Sequence, residues 1–316
     1  MSTYNIELQQ RLETYLADGI SAEKAAKQIG ISGGLLSTYR KSNYNGNVGN
    51  VELKISEFFN LLDAQQTQRE KAEPLRPSVA YVPTSVSEDI YAAIRYCQLE
   101  KGMVILHGDA GIGKTKAAEK YTMENPSTTI YLQISPSTGA LGSFLRVLAR
   151  AMHIAERRSK LDLVMDIRDK LEGTNKVLII DEAQHLKLTA LEEIRTLGDP
   201  NMMSGKGGIG IVLIGNSEVY DRMCGKAEAR FAQLFSRIRM NRLYSTRDIK
   251  HSDTEKLFPL LAERGMKKEL NFLYSICQSR WGVRGAVNVY NNAVNNENNS
   301  YDGLFGMARS MGIGMM

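Results

Sequence analysis

The sequence has few cysteines and few histidines. Its 316 residues include three cysteines, Cys97, Cys224 and Cys277, which are far apart and form no C-x-x-C pair. An odd number at this spacing argues against a disulfide framework or a cysteine-bound zinc ion, and it fits buried thiols in a reducing compartment. The four histidines are equally scattered, so they offer no metal-ligand spacing either.

Long apolar runs are also missing. Strictly apolar stretches are short, as at Val177–Ile180, and fall far below the roughly 20 residues that cross a bilayer. The N-terminal segment MSTYNIELQQRLE lacks the basic start and the apolar run of a secretory signal. We therefore expect a cytoplasmic protein without a membrane-spanning helix.

The excess of one charge is small. Lys and Arg number 40 against 35 Asp and Glu, a net charge of +5 that permits contact with nucleic acid without requiring it. Hydrophobic residues make up 43% and charged residues 24%, which is typical of soluble globular proteins and excludes wholesale disorder or a fibre. The length predicts two domains, or one large domain with an appendage.

Hydrophobic periodicity divides the chain into a small helical part and a larger part in which strands alternate with helices. Residues 1–62 carry helical apolar stripes and predict a small helical domain. Residues 63–85 are polar and contain three prolines, which predicts a linker. Residues 86–250 predict a parallel α/β sheet, because short β-rich segments are spaced by helical ones. These segments are MVILH at 103–107, TIYLQI at 129–134, KVLIID at 176–181, GIVLIG at 210–215 and IRMNRL at 238–243.

The C-terminal part of the chain changes character twice. Residues 251–294 return to helical periodicity and predict a small helical lid after the sheet. Residues 295–316 are rich in Asn, Gly and Met and offer little to pack, which predicts a flexible tail.

A glycine-rich loop follows the first predicted strand and satisfies G-x-x-x-x-G-K-[ST] at every fixed position. Glycine permits backbone angles that turn successive amides toward a polyanion at the start of a helix. Lys114 is expected to contact the β- and γ-phosphates, and Thr115 offers a hydroxyl to Mg²⁺. The sequence thus predicts an ATP-binding loop, formed by Gly108, Asp109, Ala110, Gly111, Ile112, Gly113, Lys114 and Thr115.

Two further predicted strands end in polar residues. Asp181 and Glu182 close one buried strand, where the first is expected to hold Mg²⁺ and the second to polarise the attacking water. Asn216 follows another strand and is expected either to hold that water or to cap the helix that begins at Ser217.

From about residue 86 to 294 the chain resembles the AAA+ ATPases, with the glycine loop as Walker A, Val177–Glu182 as Walker B and Asn216 as sensor 1. The resemblance implies an ATPase that uses ATP and Mg²⁺, with a parallel sheet covered by helices on both faces. The segment Arg230–Ile238 is similar to the part of that family that carries an arginine finger. Arg237 is the first candidate for this finger, and Arg230 and Arg239 are its competitors. Arg284 matches the sensor 2 helix, although another alignment puts Asn288 there.

The N-terminal segment 21–41 resembles a helix-turn-helix, with Ala26 at the helix crossing, Gly30 at the turn and Leu36 in the core. Its second helix would present polar side chains to DNA, namely Ser37, Thr38, Arg40 and Lys41. A helical hairpin for protein contacts is the alternative. A second set, Arg157, Arg158 and Lys160, would contact a central DNA strand or lie on a solvated loop.

A helix-turn-helix, a linker and one AAA+ module in this order resemble the B family of target-selecting ATPases of phage transposition. Local similarities run along the chain at Lys41–Gly46, Leu171–Thr174 and Leu234–Ile238. The resemblance implies a homo-oligomer, a helical filament or a ring, that assembles on double-stranded DNA with ATP, recruits a transposase and disassembles on hydrolysis. A nucleotide-regulated transcription factor and a replication initiator or helicase loader remain alternatives.

Overall fold

The protein was analysed as a computed structural model that describes residues 4–72, 81–155, 159–200, 205–224 and 238–313. The contacts divide the chain into two compact units, Met1–Arg76 and Pro77–Met316. Within the described ranges, none of the helices combines the length and the apolar character that a bilayer span requires.

The first unit is entirely helical, and polar side chains mark where its helices begin. The hydroxyl of Ser21 accepts a hydrogen bond from Lys24 N, and that of Ser32 accepts one from Leu35 N. Gly30 ends the second helix in the left-handed region at φ +76°, as a tight turn requires. The helices are α1 (Ile6–Ala17), α2 (Ala22–Ile29), α3 (Gly33–Arg40) and α4 (Val48–Ala72).

Apolar side chains from all four helices form the core of this unit. Leu12, Leu36 and Ile55 are completely buried, and Ala26 is 1% exposed where α2 meets its neighbours. Tyr39 is also buried, and its hydroxyl donates to Glu52 Oε1 at 3.1 Å. The predicted helical domain is therefore present, with α2 and α3 on either side of the predicted turn.

The last helix of this unit is longer than the sequence analysis predicts. α4 continues through Ala72, so residues 63–72 are helical and the assignment of that stretch to the linker is wrong. The run AQQTQREKA contains no glycine or proline and consists mainly of good helix formers, which explains the extension. Residues 73–80, with Pro74 and Pro77, lie outside the described residues.

The second unit contains a five-stranded parallel sheet in the order β2-β3-β4-β1-β5. Every strand coincides with a predicted β-rich segment. The strands are β1 (Gly102–Gly108), β2 (Thr129–Gln133), β3 (Val177–Asp181), β4 (Gly210–Gly215) and β5 (Ile238–Tyr244). Because the strands are parallel, their carboxyl ends lie at one edge of the sheet, and the predicted phosphate-site residues gather there.

Helices cover both faces of this sheet. All residues of β3 and β4 are buried, as parallel strands between two helical layers must be. Cys97 and Cys277 are buried free thiols in this unit. The helices are α5 (Ser85–Glu100), α6 (Lys114–Glu124), α7 (Leu141–Ala151), α8 (Lys160–Leu171), α9 (Leu188–Gly198) and α10 (Ser217–Cys224).

The predicted helical lid follows β5, and one more helix follows it. The lid consists of α11 (His251–Leu257), α12 (Pro259–Glu263), α13 (Lys267–Cys277) and α14 (Gly282–Asn295). The prediction of a flexible tail over 295–316 is wrong for its middle, because Tyr301–Ser310 forms helix α15. Ser300 caps this helix, and Leu304 and Ala308, one turn apart, are buried against the lid.

Candidate functional site

The glycine loop joins β1 to α6 and turns sharply at three positions. Gly108, Gly111 and Gly113 have φ values of +135°, +76° and +101°, in the region that favours glycine. A Cβ atom at Gly108 would lie 1.9 Å from the carbonyl oxygen of Tyr244, so no larger residue fits there. The sequence motif therefore matches a backbone that only these glycines allow.

Lys114 is the first residue of α6 and folds back over the loop. Its Nζ donates to the carbonyl oxygens of Gly108 at 2.9 Å and Asp109 at 2.6 Å. Burial lowers the pKa of Lys114, while the carboxylates of Asp181 and Glu182 act in the opposite direction. The ammonium group thus lies in a partly desolvated site where an anion would gain from its charge.

Asp109 ties the loop to the end of β5. Its carboxylate accepts hydrogen bonds from Thr246 N at 2.8 Å and from Ser245 Oγ at 3.1 Å. The Thr246 amide is the main reason that the pKa of Asp109 lies below its usual value. Although the motif leaves this position variable, its side chain fixes the shape of the loop in this chain.

The side chains of Thr115 and Asp181, which both carry oxygen atoms that can bind a metal ion, are hydrogen-bonded to each other. Thr115 Oγ1 donates to Asp181 Oδ2 at 2.7 Å, and the Tyr131 hydroxyl donates to the same atom at 3.0 Å. Asp181 is only 2% exposed, and burial raises the pKa of Tyr131. The sequence analysis predicts the first pair but not Tyr131, which reaches Asp181 from the neighbouring strand β2.

Glu182 follows Asp181 in a backbone conformation that is unusual for its residue type. Its φ of +55° and ψ of +39° lie in the left-handed region. Its amide donates to Asp181 Oδ1 at 2.9 Å, and its carboxylate accepts a hydrogen bond from Gln184 Nε2. Strained residues of this kind persist where surrounding contacts hold them, often at functional sites.

Asn216 directly follows β4 and lines the same cavity as Glu182. Its side-chain oxygen accepts a hydrogen bond from Glu218 N at 3.0 Å, close to the start of α10. The structure therefore contains the helix-capping contact that the sequence analysis left as one alternative. The side chain is exposed, and a second role toward water stays a prediction.

The start of α14 lies against the glycine loop. Arg284 N donates to the carbonyl oxygen of Gly111 at 3.1 Å, and a Cβ at Gly282 would lie 3.0 Å from that same oxygen. Arg284 lines the cavity, as does Asn288, its competitor for the sensor 2 position. The lid helix is thus in direct contact with the backbone of the glycine loop.

A cavity of about 460 Å³ lies above the loop. Lys114, Asp181 and Glu182 lie on its wall with the loop glycines. Another part of the cavity wall is formed by apolar and aromatic side chains from the segment before α5 and from the lid. They are Tyr81, Val82, Leu257, Phe258, Val287 and Tyr290. The sequence analysis does not identify these residues, because they come from distant segments without a motif.

Several predicted arginines lie outside the described residues. Arg230 and Arg237 fall within 225–237, and Arg157 and Arg158 fall within 156–158. Arg239 is described, and its side chain lies against Gly102 at the amino end of β1, opposite the edge of the sheet that carries the glycine loop. Lys160, which was predicted together with Arg157 and Arg158 to contact DNA, is exposed as the first residue of helix α8.

The predicted DNA-contacting residues of the first unit are exposed on and just after α3. They are Ser37, Thr38, Arg40 and Lys41. Arg40 is already paired, since its Nε and Nη2 atoms each lie 2.6 Å from a carboxylate oxygen of Glu13 on α1. This pairing lowers the pKa of Glu13 and neutralises the positive charge that Arg40 would bring to this face.

Comparison with known proteins identifies relatives over most of the chain. A family model described as an AAA domain matches residues 97–223. The Mu-like prophage FluMu DNA transposition protein B of Haemophilus influenzae is 30% identical over 284 residues, which span 89% of this chain and 94% of that protein. The ATP-dependent target DNA activator B of Escherichia phage Mu is 32% identical over 265 residues, which span 83% of this chain and 79% of that protein.

Two solved structures share the fold at low sequence identity. The ORC2 protein of Aeropyrum pernix, solved as ADPNP and ADP complexes, aligns with a TM-score of 0.53 at 16% identity over 76% of this chain and 71% of that one. The CDC6P protein of Pyrobaculum aerophilum aligns with a TM-score of 0.54 at 16% identity over 74% and 69%. These two structures show the fold alone. The AAA-domain match and the two relatives at 30% and 32% identity show that the chain is an AAA+ ATPase and belongs to the family of Mu-like transposition B proteins.

Proposed function

We propose that this ATPase binds double-stranded DNA in an ATP-dependent manner, assembles there as a homo-oligomer, and presents the DNA to a transposase. Two relatives are named for transposition and for the activation of target DNA. The observation that carries the proposal is the meeting of Lys114, Thr115, Asp181 and Glu182 around one cavity at the edge of the sheet. The same chain also carries a separate helical unit with exposed polar side chains.

In this proposal ATP binds along the cavity. The turned amides of the glycine loop and Lys114 hold the phosphates, because they supply donors and a positive charge at the start of α6. The apolar wall from Tyr81, Val82 and Phe258 suits the flat surface of the adenine base. The lid residue Arg284 lines the same cavity, and α14 carries it directly over the loop.

The oxygen donors of Thr115 and Asp181 fit Mg²⁺. A hydroxyl and a buried carboxylate oxygen 2.7 Å apart are hard ligands, and no cluster of three acidic, His or Cys side chains that could hold an ion alone exists among the described residues. Magnesium sites in nucleotide-binding proteins commonly use one or two such protein ligands together with substrate phosphates. When bound, Mg²⁺ would neutralise charge on the phosphates. Tyr131 holds Asp181, one of its two protein ligands, in place.

Hydrolysis in this proposal depends on Glu182, with Asn216, Arg237 and Arg284 in supporting roles. The Glu182 carboxylate accepts a proton from the attacking water, and Asn216 helps to hold that water. Arg237 would act across a subunit boundary, so that hydrolysis and assembly depend on each other. Loss of the γ-phosphate then weakens the boundary and releases the protein from DNA.

DNA binding in this proposal is largely independent of sequence. Ser37, Thr38 and Lys41 are short or flexible polar side chains that suit phosphate contacts, and the Glu13 pairing reduces the contribution of Arg40. In the assembly, Arg157, Arg158 and Lys160 would supply further phosphate contacts. Affinity should therefore fall steeply with salt concentration, as counterion release requires.

Electron microscopy of the protein with DNA, in the presence and absence of ATP and Mg²⁺, tests this function. The proposal predicts filaments or rings on DNA of unrelated sequence only when ATP is present. Isolated dimers on one discrete site, seen as a footprint, would contradict it and favour a nucleotide-regulated transcription factor. Capture of a replicative helicase in place of a transposase would favour a helicase loader.

A further inference from the structure

A buried amide side chain lies directly behind Glu182. Gln184 is 8% exposed, its Nε2 donates to Glu182 Oε2, and its Oε1 accepts from Asn216 N at 3.4 Å. The amide therefore bridges the turn after β3 to the end of β4. Glu182 and Asn216, which it contacts, both line the cavity, whereas Gln184 lies behind them and does not line it.

The end of β4 leaves room for this amide only because residue 215 is glycine. A Cβ atom at Gly215 would lie 2.5 Å from Gln184 Oε1 and 2.5 Å from a methyl group of Val219. The amide is thus confined between the Glu182 carboxylate on one side and the backbone of β4 on the other. Confinement by packing and hydrogen bonds leaves a side chain few alternative rotamers.

Glu182 depends on contacts with neighbouring residues of the chain to keep its conformation. Its left-handed backbone is disfavoured for a residue with a Cβ atom, so neighbouring contacts must maintain it. The short 3₁₀ turn that follows, in which His185 N donates to Glu182 O at 3.1 Å, holds the backbone. In the carboxylate, Oε2 accepts a hydrogen bond from Gln184, while the second oxygen keeps its capacity to accept a proton.

We propose that Gln184 is a positioning residue that fixes the Glu182 carboxylate for hydrolysis by linking it to the end of β4. The inference rests on the proposed role of Glu182 as the group that polarises water. It deepens that role, because the orientation of the carboxylate then depends on the same strand end that carries Asn216. Misplacing a catalytic group by about 1 Å can reduce the rate by about 100-fold.

Replacing the amide by an apolar side chain of similar length tests the positioning role. Gln184→Met should lower kcat by about 10- to 100-fold, since the volume is kept and only the hydrogen bonds are lost. The KM for ATP and the melting temperature should stay close to those of the wild type. A kcat within twofold of the wild type, or a loss confined to ATP affinity and stability, would overturn the proposal.

A charged replacement tests the same link from the opposite direction. Gln184→Glu keeps the length of the side chain but replaces the donating amide with a carboxylate, which repels the Glu182 carboxylate instead of holding it. The kcat should therefore fall at least as far as in Gln184→Met, and a kcat within twofold of the wild type would contradict a direct link between the two side chains.

Two control variants separate this inference from the proposed function. Gln98→Met removes an amide that bonds to Tyr121 and to Asn175 O at 2.8 Å, away from the cavity, and should leave kcat unchanged. Glu182→Gln is measured in parallel. If it leaves hydrolysis intact, the assignment of Glu182 is wrong; if it stops hydrolysis while Gln184→Met does not, only the positioning role fails.

Discussion

The phosphate site and the first helical unit use their polar side chains in different ways. At the predicted phosphate site, Thr115 lines the cavity and is bonded to the buried Asp181, which Tyr131 also holds. In the helical unit, Ser37 and Lys41 are exposed at the surface. The first arrangement holds each group in one place, whereas the second leaves side chains free to adapt to a partner.

This difference predicts which substitutions should have the largest effects on the protein. A site whose donors are fixed in advance suits a reaction with strict geometry, and removal of one group there should have a large effect. An exposed polar surface suits phosphate contacts that add small, salt-dependent increments. Substitutions in the two regions should therefore differ in the size of their effects.

The largest effect is expected from a single methyl group in the glycine loop. Gly108→Ala should lower the free energy of unfolding by about 2 kcal/mol or more and abolish ATP binding, because its Cβ would overlap the Tyr244 carbonyl oxygen. Thermal denaturation and calorimetric titration measure both effects.

The matched change in the helical unit is Gly34→Ala, where no atom lies within 4 Å of the new Cβ. It should stabilise α3 by up to about 1 kcal/mol, since alanine favours a helix more than glycine does. If both variants lost the same stability, the contrast between a fixed loop and an open helix surface would be wrong.

The next largest effect concerns catalysis without loss of binding. Glu182→Gln should reduce kcat by about 100- to 10,000-fold while ATP affinity is kept, because the amide cannot accept a proton from water. Steady-state phosphate release and equilibrium ATP titration separate the two quantities. Glu255→Gln, an exposed carboxylate on α11, is the control and should hydrolyse ATP at the wild-type rate.

The C-terminal helix supplies a test of intermediate size. Leu304→Ala should destabilise the protein by about 2–5 kcal/mol, because Leu304 is completely buried in the contact between α15 and the lid. Phe305→Ala, at a side chain that is 40% exposed, should cost less. Urea denaturation checks both, and equal, negligible effects would restore the view that residues 295–316 are a flexible tail.

The smallest effect is expected on DNA binding. Glu13→Gln releases Arg40 from its carboxylate partner and should strengthen binding to duplex DNA by a few-fold at low salt. The slope of log affinity against log salt concentration should steepen by about one. Arg40→Gln should reverse both changes, and a slope that is the same in all three proteins would remove Arg40 from the DNA interface.

Local sequence was enough to predict the features that depend on neighbouring residues. The glycine loop, the acidic end of β3 and all five strands follow from motifs and hydrophobic runs within short segments. The start of α3 at Ser32 follows from its capping side chain in the same way.

Contacts between distant segments could not be predicted in this manner. Tyr131 reaches Asp181 because β2 lies beside β3, and Glu13 meets Arg40 because α1 packs near α3. Nothing in the local sequence of either residue marks these contacts. The composition of 295–316 was misleading for a related reason, since a few spaced apolar residues such as Leu304 were enough to dock a helix.

Calorimetric titration of ATP with Mg²⁺ into the folded protein tests the central claim most directly. The account predicts saturable heat that corresponds to one nucleotide per chain, and the loss of that heat in Lys114→Ala while the circular dichroism spectrum stays unchanged. The absence of heat from the folded wild-type protein, or equal heat from Lys114→Ala, would contradict it.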